Sequence, residues 1–356
     1  MLYDLFTAIH DWLVSLLTGW GLPADWSGAI VAILAWIVGA IVVITIMMFA
    51  ALVLIYLERK VSGWLQVRVG PLRVGPQGLF QTPMDAIKLL QKEDIVPEGA
   101  DKALHSLGPV VFFVVSMLAW VIVPFDKGVI IGRIIDANIG ILYLMGVSGI
   151  TIICIIMGGW GSNNKWSLIG AVRAAAQMLS YEIPMLLALL CVVIGAESLS
   201  FGKVIEAQAG RGLLSWNCCK PWLWLPMLLF VISMFAELSR QPFDLSEAES
   251  ELVAGYHTEY TGMKFALYFL GEYANVLLMS IIVSVLFLGG WLSPFGETVI
   301  PGIVWLGLKT LLLIVFVVWV RWTLPRVRVD QMMILAWKVL IPAGFVALLI
   351  AALVAV

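Results

Sequence analysis

The chain has 356 residues, of which 62% are hydrophobic and only 12% are charged, and its mean hydropathy is +1.02. Soluble domains are about half apolar and about a quarter charged. These values therefore exclude a soluble protein and predict a polytopic membrane protein. The net charge of -2 argues against nucleic acid as a partner. The four cysteines and three histidines form no cluster, so we expect no metal, haem or iron–sulfur centre in this chain.

The first residues, MLYDLFTAIHDWL, lack the cationic start of a signal peptide and predict an amphipathic helix at the membrane interface. Beyond them, apolar runs long enough to cross a bilayer recur to the end of the chain. The sequence therefore predicts an all-α fold, a single membrane domain over 1–356 with about eight transmembrane helices. They are predicted near 28–57, 106–124, 139–158, 177–196, 222–239, 266–290, 302–320 and 334–355.

The distribution of Lys and Arg predicts the orientation. Fourteen of them lie in the loops that follow the odd-numbered predicted helices, against five in the loops on the opposite side. Cytoplasmic loops carry the excess of Lys and Arg, so both termini are predicted to lie on the outer side. The inner loops expected to carry function are 58–105, 159–176, 240–265 and 321–333.

The segment from Ala236 to Asn275 is crowded with carboxylates, although it joins two apolar runs. Glu247 and Glu251 are four residues apart and would share a helix face, whereas Glu249 would point elsewhere. Carboxylates held together raise each other's pKa towards neutral pH, where they can load and release protons. The alternative is a solvated acidic loop. It does not explain the two acids that lie within the flanking predicted helices, Glu237 and Glu272.

Glu182 is a further acid inside a predicted membrane helix, two residues before Pro184. An ionisable group there indicates a functional site, because it is costly unless paired or hydrated. The proline frees a backbone carbonyl that can hold water beside the carboxylate. The alternative is a structural pair between Glu182 and an arginine of another helix.

The first inner loop contains an amphipathic stretch, Pro83 to Glu93, that includes Asp85 and Lys88. Such a stretch can lie in the plane of the membrane interface. One interpretation is the wall of a ligand entrance, with Arg59 and Arg68 as polar contacts. The other is anchoring of the topology by cations that reach the interface, which is also the simplest interpretation of the arginines in the last inner loop.

Four stretches carry a resemblance to a known family: LERKVSGWLQVRVGP, GSNNKWSLIGAVRAAAQMLSYEIP, RQPFDLSEAESELVAGYHTEYTGMKFALYFLGEYAN and WVRWTLPRVRVDQMM. On these residues the sequence resembles the H subunits of proton-pumping NADH:quinone oxidoreductase, respiratory complex I. The resemblance implies an enzyme subunit with no redox centre of its own. Such a subunit forms the quinone chamber with the peripheral arm, below an iron–sulfur cluster of a neighbouring subunit, and couples quinone reduction to proton translocation.

Carried over position by position, the resemblance implies two sets of site residues. The proton path would comprise Glu182, Glu237, Glu247, Glu249, Glu251 and Glu272. The quinone site would comprise Glu58, Arg59, Asp85, Lys88, Arg240, Phe243 and Asp244. The chain departs from the family pattern at Leu72, Leu238, Ser239, Gln241 and Ile334, and the third predicted helix lacks the acid that many members carry.

The resemblance also implies a setting. The chain would bind no cofactor itself, and quinone would be the substrate. Its partners would be the iron–sulfur and quinone-site subunits of the peripheral arm, the small and antiporter-like membrane subunits, and lipid, in a bacterial cytoplasmic membrane. Two alternatives stay open: the anchor subunit of a ferredoxin- or hydrogenase-linked complex, and a stand-alone ion-coupled transporter. The long amphipathic inner loops count against the transporter.

Overall fold

The computed structural model describes residues 24–125, 138–210, 212–246, 249–296 and 300–355, together with Ser15 and Thr18. The predicted N-terminal amphipathic helix lies outside the described residues. Within them the regular secondary structure is helical, without strands. The helices are α1 Ala24–Leu65, α2 Gln81–Gln91, α3 Lys102–Trp120, α4 Gly140–Gly161, α5 Lys165–Ala196, α6 Phe201–Glu206, α7 Trp224–Glu237, α8 Glu249–Leu252, α9 Gly262–Phe287, α10 Gly302–Thr323, α11 Val329–Ile334 and α12 Ile341–Ala355. A π-helical turn, Leu335–Leu340, joins α11 to α12.

Seven helical spans in the described ranges are long and apolar enough to cross a membrane. They are α1 from Ile37, α3, α4, α5, α9, α10, and α11 with α12 as one span. The remaining predicted helix, near 222–239, corresponds to a shorter apolar helix over Pro221–Glu237. The all-α, polytopic membrane fold is therefore confirmed.

Several helix bounds differ from the sequence expectation. The predicted loop 159–176 is wrong over most of its length, because α5 already begins at Lys165. The Asn164 side chain caps that helix by accepting a hydrogen bond from the Trp166 amide at 2.9 Å. In the same way α1 continues to Leu65, beyond 57. Hydropathy marks only the lipid-facing length of a helix, so polar turns that continue it beyond the membrane carry no such signal.

The helices form one packed bundle in which α5 is central. It contacts α4, α7 and α12, while α3 and α9 pack against each other, and α1 lies against α9 and α10. Small buried residues of α5, such as Ala171, Ala174 and Ala188, allow its neighbours to come close. Close approach through small residues is how membrane helices gain packing energy, since lipid is as apolar as their side chains.

Connectors that are far apart in sequence meet at one end of the bundle. The Ile95 amide donates to Thr261 Oγ1 at 3.0 Å, and the Val327 amide donates to the Pro242 carbonyl at 3.0 Å. These connectors follow the odd-numbered predicted helices and hold seven Lys and Arg residues. We name this end the basic end and the other the opposite end. The basic end comprises these connectors, residues 66–101, 162–164, 238–261 and 324–328, together with the last two turns of α1 and the last turn of α10.

Candidate functional site

A cavity of about 50 Å³ lies inside the bundle among α3, α4, α5, α7 and α9. Two of the predicted proton-path acids, Glu237 and Glu272, line it. Its other polar lining residues are Ser116, Ser148, Thr151, Ser239, Tyr256 and Asn275. A water needs about 10–15 Å³ on this measure and two to four polar partners, so the cavity suits roughly three or four waters.

Glu237 is the last residue of α7 and points one oxygen into buried space. Its Oε2 atom is buried and has no hydrogen-bond partner among the described residues. An ionised carboxylate without partners is costly in a membrane interior. A carboxyl group in this position is stabilised either by taking up a proton or, when ionised, by water in the adjoining cavity. A proton carrier has to adopt both the protonated and the ionised state.

Glu272, in the middle of α9, connects the cavity to the basic end. The Tyr256 hydroxyl donates to Glu272 Oε1 at 2.6 Å, and Arg240 Nη2 lies 4.0 Å from Glu272 Oε2. Arg240 is itself buried, and its guanidinium lies over the Tyr273 ring at 4.7 Å. A change of charge on Glu272 would therefore be felt directly by a buried arginine at the basic end.

The hydroxyls around the cavity present acceptors rather than donors. Ser116 donates its proton to the Phe112 carbonyl at 3.0 Å, and Ser148 donates to the Met145 carbonyl at 2.9 Å. Thr151 likewise donates to the Ser148 carbonyl at 2.6 Å. A hydroxyl has one proton and two lone pairs, so these groups retain only acceptor capacity towards the cavity. They suit water or a hydrated proton.

Gln177 of α5 fixes the acid-bearing end of α7. Its buried Nε2 donates to the carbonyls of Ala236 at 2.7 Å and Phe243 at 2.8 Å. The Tyr181 ring packs against Phe243 at 5.2 Å between centroids. Sequence analysis missed Gln177, although an amide in the buried half of a membrane helix is a signal of a specific partner.

Two predicted quinone-site acids are buried at the basic end, and each is paired with an arginine that lies in the last connector or in the turn of α10 just before it. Glu58, on α1, binds Arg321 of α10. Asp244 Oδ2 lies 3.3 Å from Arg326 Nη2. Sequence analysis assigned both arginines to topology anchoring. Their position beside buried carboxylates gives them a second role, because each acid would otherwise carry an uncompensated charge.

Arg59 and Asp85 join α1 to the amphipathic helix α2. Arg59 Nη1 lies 2.6 Å from Asp85 Oδ2, and Gln81 Nε2 donates to Asp85 Oδ1 at 3.0 Å. Both charged side chains are about one-third to two-fifths exposed. Lys88 is exposed on α2. The pair therefore orients α2 at the edge of the bundle.

Tyr260 anchors the connector that leads into α9. Its ring stacks on His105 at 4.2 Å between centroids, and its hydroxyl donates to the Gly158 carbonyl at 3.2 Å. Burial raises the pKa of the Tyr260 phenol above its ordinary value. The phenol therefore stays neutral and acts as a hydrogen-bond donor between the connector and α4.

Of the remaining predicted proton-path acids, Glu182 and Glu251 do not line the cavity. Glu182 is half-buried on α5 and faces Gly149 of α4. No ion pair to Glu182 is present in the described part of the chain, so the structural-pair alternative gains no support there. Glu251 is paired with Arg173 at 2.6 Å. Glu247 lies outside the described residues, as does the side chain of Glu249, whose backbone begins α8.

The residues present were also tested for a metal site. Over the described ranges, no group of three or more His, Cys, Asp or Glu residues is arranged to hold a metal ion. The acids of the cavity and of the basic end are instead surrounded by arginine, tyrosine and hydroxyl groups. This donor set suits protons and polar organic ligands.

Comparisons with known proteins agree over most of the chain. The family model for NADH dehydrogenase matches residues 38–352. A relative from Chlorobaculum tepidum, named as the H subunit of NADH-quinone oxidoreductase, is 48% identical over 330 residues, which cover 89% of this chain and 91% of the relative. Relatives of the same name from Rhodospirillum rubrum and Brevibacillus brevis are 43% and 44% identical, and the alignments cover 90% and 89% of this chain and 94% and 92% of the relatives.

Proposed function

Because the chain belongs to the NADH dehydrogenase family, with the H subunits of NADH-quinone oxidoreductase as relatives, we propose that it couples quinone reduction to proton movement across the membrane. In this proposal it is one subunit of the proton-pumping oxidoreductase and forms the quinone chamber with the peripheral arm. The sequence has no Cys/His cluster, so electrons reach the quinone from an iron–sulfur centre in a peripheral-arm partner. The small and antiporter-like membrane subunits would complete the assembly.

The quinone head would react at the basic end. The proposed binding residues are Glu58, Arg59, Asp85, Lys88, Arg240, Phe243 and Asp244. Supporting this, buried carboxylate–arginine pairs lie there, including Glu58 with Arg321 and Asp244 with Arg326. Reduction of a quinone consumes two electrons and two protons. Buried ion pairs in a low-dielectric region respond strongly to such a change of charge.

The observation that carries the proposal is the cavity shared by Glu272 and Glu237. Quinone reduction at the basic end would alter the field at Arg240, and Glu272 would take up or release a proton in response. Water in the cavity would carry the proton between Glu272 and Glu237. Glu182, half-buried on the neighbouring helix α5, would receive the proton after it leaves the cavity. The acids of the connector, Glu247, Glu249 and Glu251, would supply protons from the surface.

The test replaces Glu237 by Gln, which keeps the shape of the side chain and removes its titration. In the assembled complex, reconstituted in liposomes, we expect NADH-driven proton pumping to fall about a hundredfold or more, because a positioned proton-transfer group typically contributes about 10²–10⁴-fold. Glu272→Gln should behave alike. Glu206→Gln, an exposed acid at the opposite end, is the matched control. Normal pumping in the assembled Glu237→Gln complex would overturn the proposed route.

The electron source and the setting need a separate experiment. The proposed oxidoreductase predicts that the chain purifies with iron–sulfur subunits whose EPR signal changes on adding quinone. A chain that purifies alone, without iron, would favour the transporter instead. A hydrogenase or a ferredoxin-binding subunit in the assembly would show instead that the chain is the anchor subunit of a hydrogenase- or ferredoxin-linked complex. We also propose that both termini face the outside of a bacterial cytoplasmic membrane, which terminal tags digested in intact spheroplasts would test.

A further inference from the structure

A lysine is buried at the opposite end of the bundle, away from the proposed quinone and proton sites. Lys309, on the second turn of α10, is only 9% exposed. Its Nζ donates to the carbonyls of Leu288 at 2.6 Å, Gly290 at 2.8 Å and Leu292 at 2.7 Å. An ammonium group has three N–H donors. All three are therefore used on backbone carbonyls.

Among the described residues, the surroundings of the ammonium are negative although they contain no carboxylate. Nζ lies 3.9 Å from the centroid of the Trp216 ring, whose face attracts cations. The three carbonyls lie just beyond the end of α9, where the helix dipole places partial negative charge. No carboxylate pairs with Lys309 among the residues that the structure describes. Oriented dipoles and an indole ring compensate its charge there.

The backbone that offers these carbonyls depends on two glycines. Gly289 and Gly290 have φ values of +72° and +50°, in the left-handed region that favours glycine. A Cβ on Gly289 would also come within 2.7 Å of Trp216 Nε1. The left-handed turn brings the carbonyls of residues 288, 290 and 292 towards one point.

Groups other than Lys309 hold this turn in place. Gln208 Oε1 accepts from the amides of Gly289 at 3.1 Å and Asn217 at 3.2 Å, and Gln208 Nε2 donates to the Val285 carbonyl at 2.9 Å. Asn217 Nδ2 donates to the Leu286 carbonyl at 2.7 Å. These bonds satisfy the last carbonyls of α9 separately. The carbonyl cluster is therefore preorganised rather than assembled by the lysine alone.

We propose that the carbonyls of Leu288, Gly290 and Leu292, together with the Trp216 ring, form a binding site for a primary ammonium ion, which the chain fills with its own Lys309. The site selects three N–H donors converging on three carbonyls, which a guanidinium fork or a quaternary ammonium cannot supply. Filling it ties α10 to the end of α9. This function is independent of the proposed quinone chemistry.

The first test removes the occupant by Lys309→Ala and measures amide hydrogen exchange of residues 284–296 in the intact purified complex. We expect exchange about tenfold faster than in the unchanged complex, because the local opening loses three charge-assisted hydrogen bonds. Lys203→Ala, which removes an exposed lysine at the same end, should leave this exchange unchanged. Unchanged exchange in Lys309→Ala would overturn the proposal.

The second test refills the site from solution. n-Propylammonium supplies the atoms that Lys309→Ala removes, so millimolar concentrations should restore slow exchange of residues 284–296. Tetramethylammonium, which has no N–H donor, and 1-propanol, which has no charge, should not. Failure of n-propylammonium, or equal rescue by 1-propanol, would overturn the assignment of an ammonium site.

A third measurement uses the unaltered complex and does not depend on assembly of a variant. Reductive methylation with formaldehyde, followed by mass spectrometry, reports how accessible each lysine is. An ammonium held by three carbonyls should react about a hundredfold more slowly than the exposed Lys203, since reaction requires local opening. Comparable rates for Lys309 and Lys203 would contradict the proposal, whatever the activity of the complex.

Discussion

Lys309 and Glu237 are both ionisable groups buried in the bundle, yet their surroundings differ in one respect. The Lys309 ammonium uses all three donors on carbonyls. The Glu237 carboxyl leaves Oε2 without a hydrogen-bond partner among the described residues and borders a cavity. An ammonium that gives up a proton also gives up one of its three hydrogen bonds, whereas a carboxyl oxygen without a partner can gain a proton or bind a water. The comparison separates structural from functional charges.

The first prediction concerns Glu58 and Arg321, a largely buried pair whose charges compensate each other as the carbonyls compensate Lys309. Removing one partner of such a pair should lower the stability of the fold strongly. Glu58→Gln leaves the Arg321 guanidinium partly buried without its acid, which typically costs about 3–5 kcal/mol. Melting of the detergent-solubilised complex should shift to clearly lower temperature. The double variant Glu58→Gln/Arg321→Met removes both charges and should lose less. Equal shifts of the melting temperature in the two variants would show that the loss of stability does not come from an unpaired Arg321.

The second prediction concerns Gln177, whose amide bonds to Ala236 and Phe243 hold the end of α7. Gln177→Ala leaves two buried carbonyls without these donors and should cost about 1–3 kcal/mol. Amide exchange of 236–246 should speed up in the assembled complex. Gln91→Ala, an exposed glutamine at the end of α2, is the control. Unchanged exchange after Gln177→Ala would show that contacts other than those of Gln177 hold residues 236–246 in place.

The third prediction concerns Glu237 and tests its proposed proton route by filling the cavity beside it. Ser148→Leu inserts an apolar side chain among the lining residues of the 50 Å³ space. Proton pumping by the reconstituted complex should fall about tenfold, since the volume for water is lost. Ser148→Ala keeps the space and should pump nearly normally. Full pumping with the leucine would show that protons do not cross this cavity.

The smallest effect is expected for the pair between Arg173 and Glu251, which is 30% and 51% exposed. Exposed pairs contribute at most about 1 kcal/mol, and salt screens them. Arg173→Ala should therefore shift the melting temperature of the complex only slightly, and less in high salt. Glu251→Gln should affect stability equally little, yet it should lower proton pumping, because the acid belongs to the proposed proton path. Normal pumping in this variant would remove Glu251 from that path.

The sequence predicted the fold class because each membrane helix carries its own local signal, a run of about twenty apolar residues. It predicted the acids of the cavity because carboxylates are rare in such runs. It did not predict which residues the buried acids contact. Glu58 and Arg321 are 263 positions apart, and no local pattern reports a contact at that separation. Lys309 was missed because a single lysine hardly lowers the hydropathy of the run 302–320, although any charge there indicates a specific role.

The π-helical turn Leu335–Leu340 sets the rotational phase of the last helix. In α12 the small residues Ala347 and Ala351 are buried, while Leu349 and Leu353 are largely exposed. Each residue advances a helix by about 100°, and a π turn holds one residue more than an α turn. Deleting a single residue there would rotate α12 by about 100°, so that the bulkier Leu348 would take the place of the buried Ala347. The extra residue of the π turn therefore sets which face of α12 packs against the bundle. A one-residue change of length should be tolerated less well there than in the connectors.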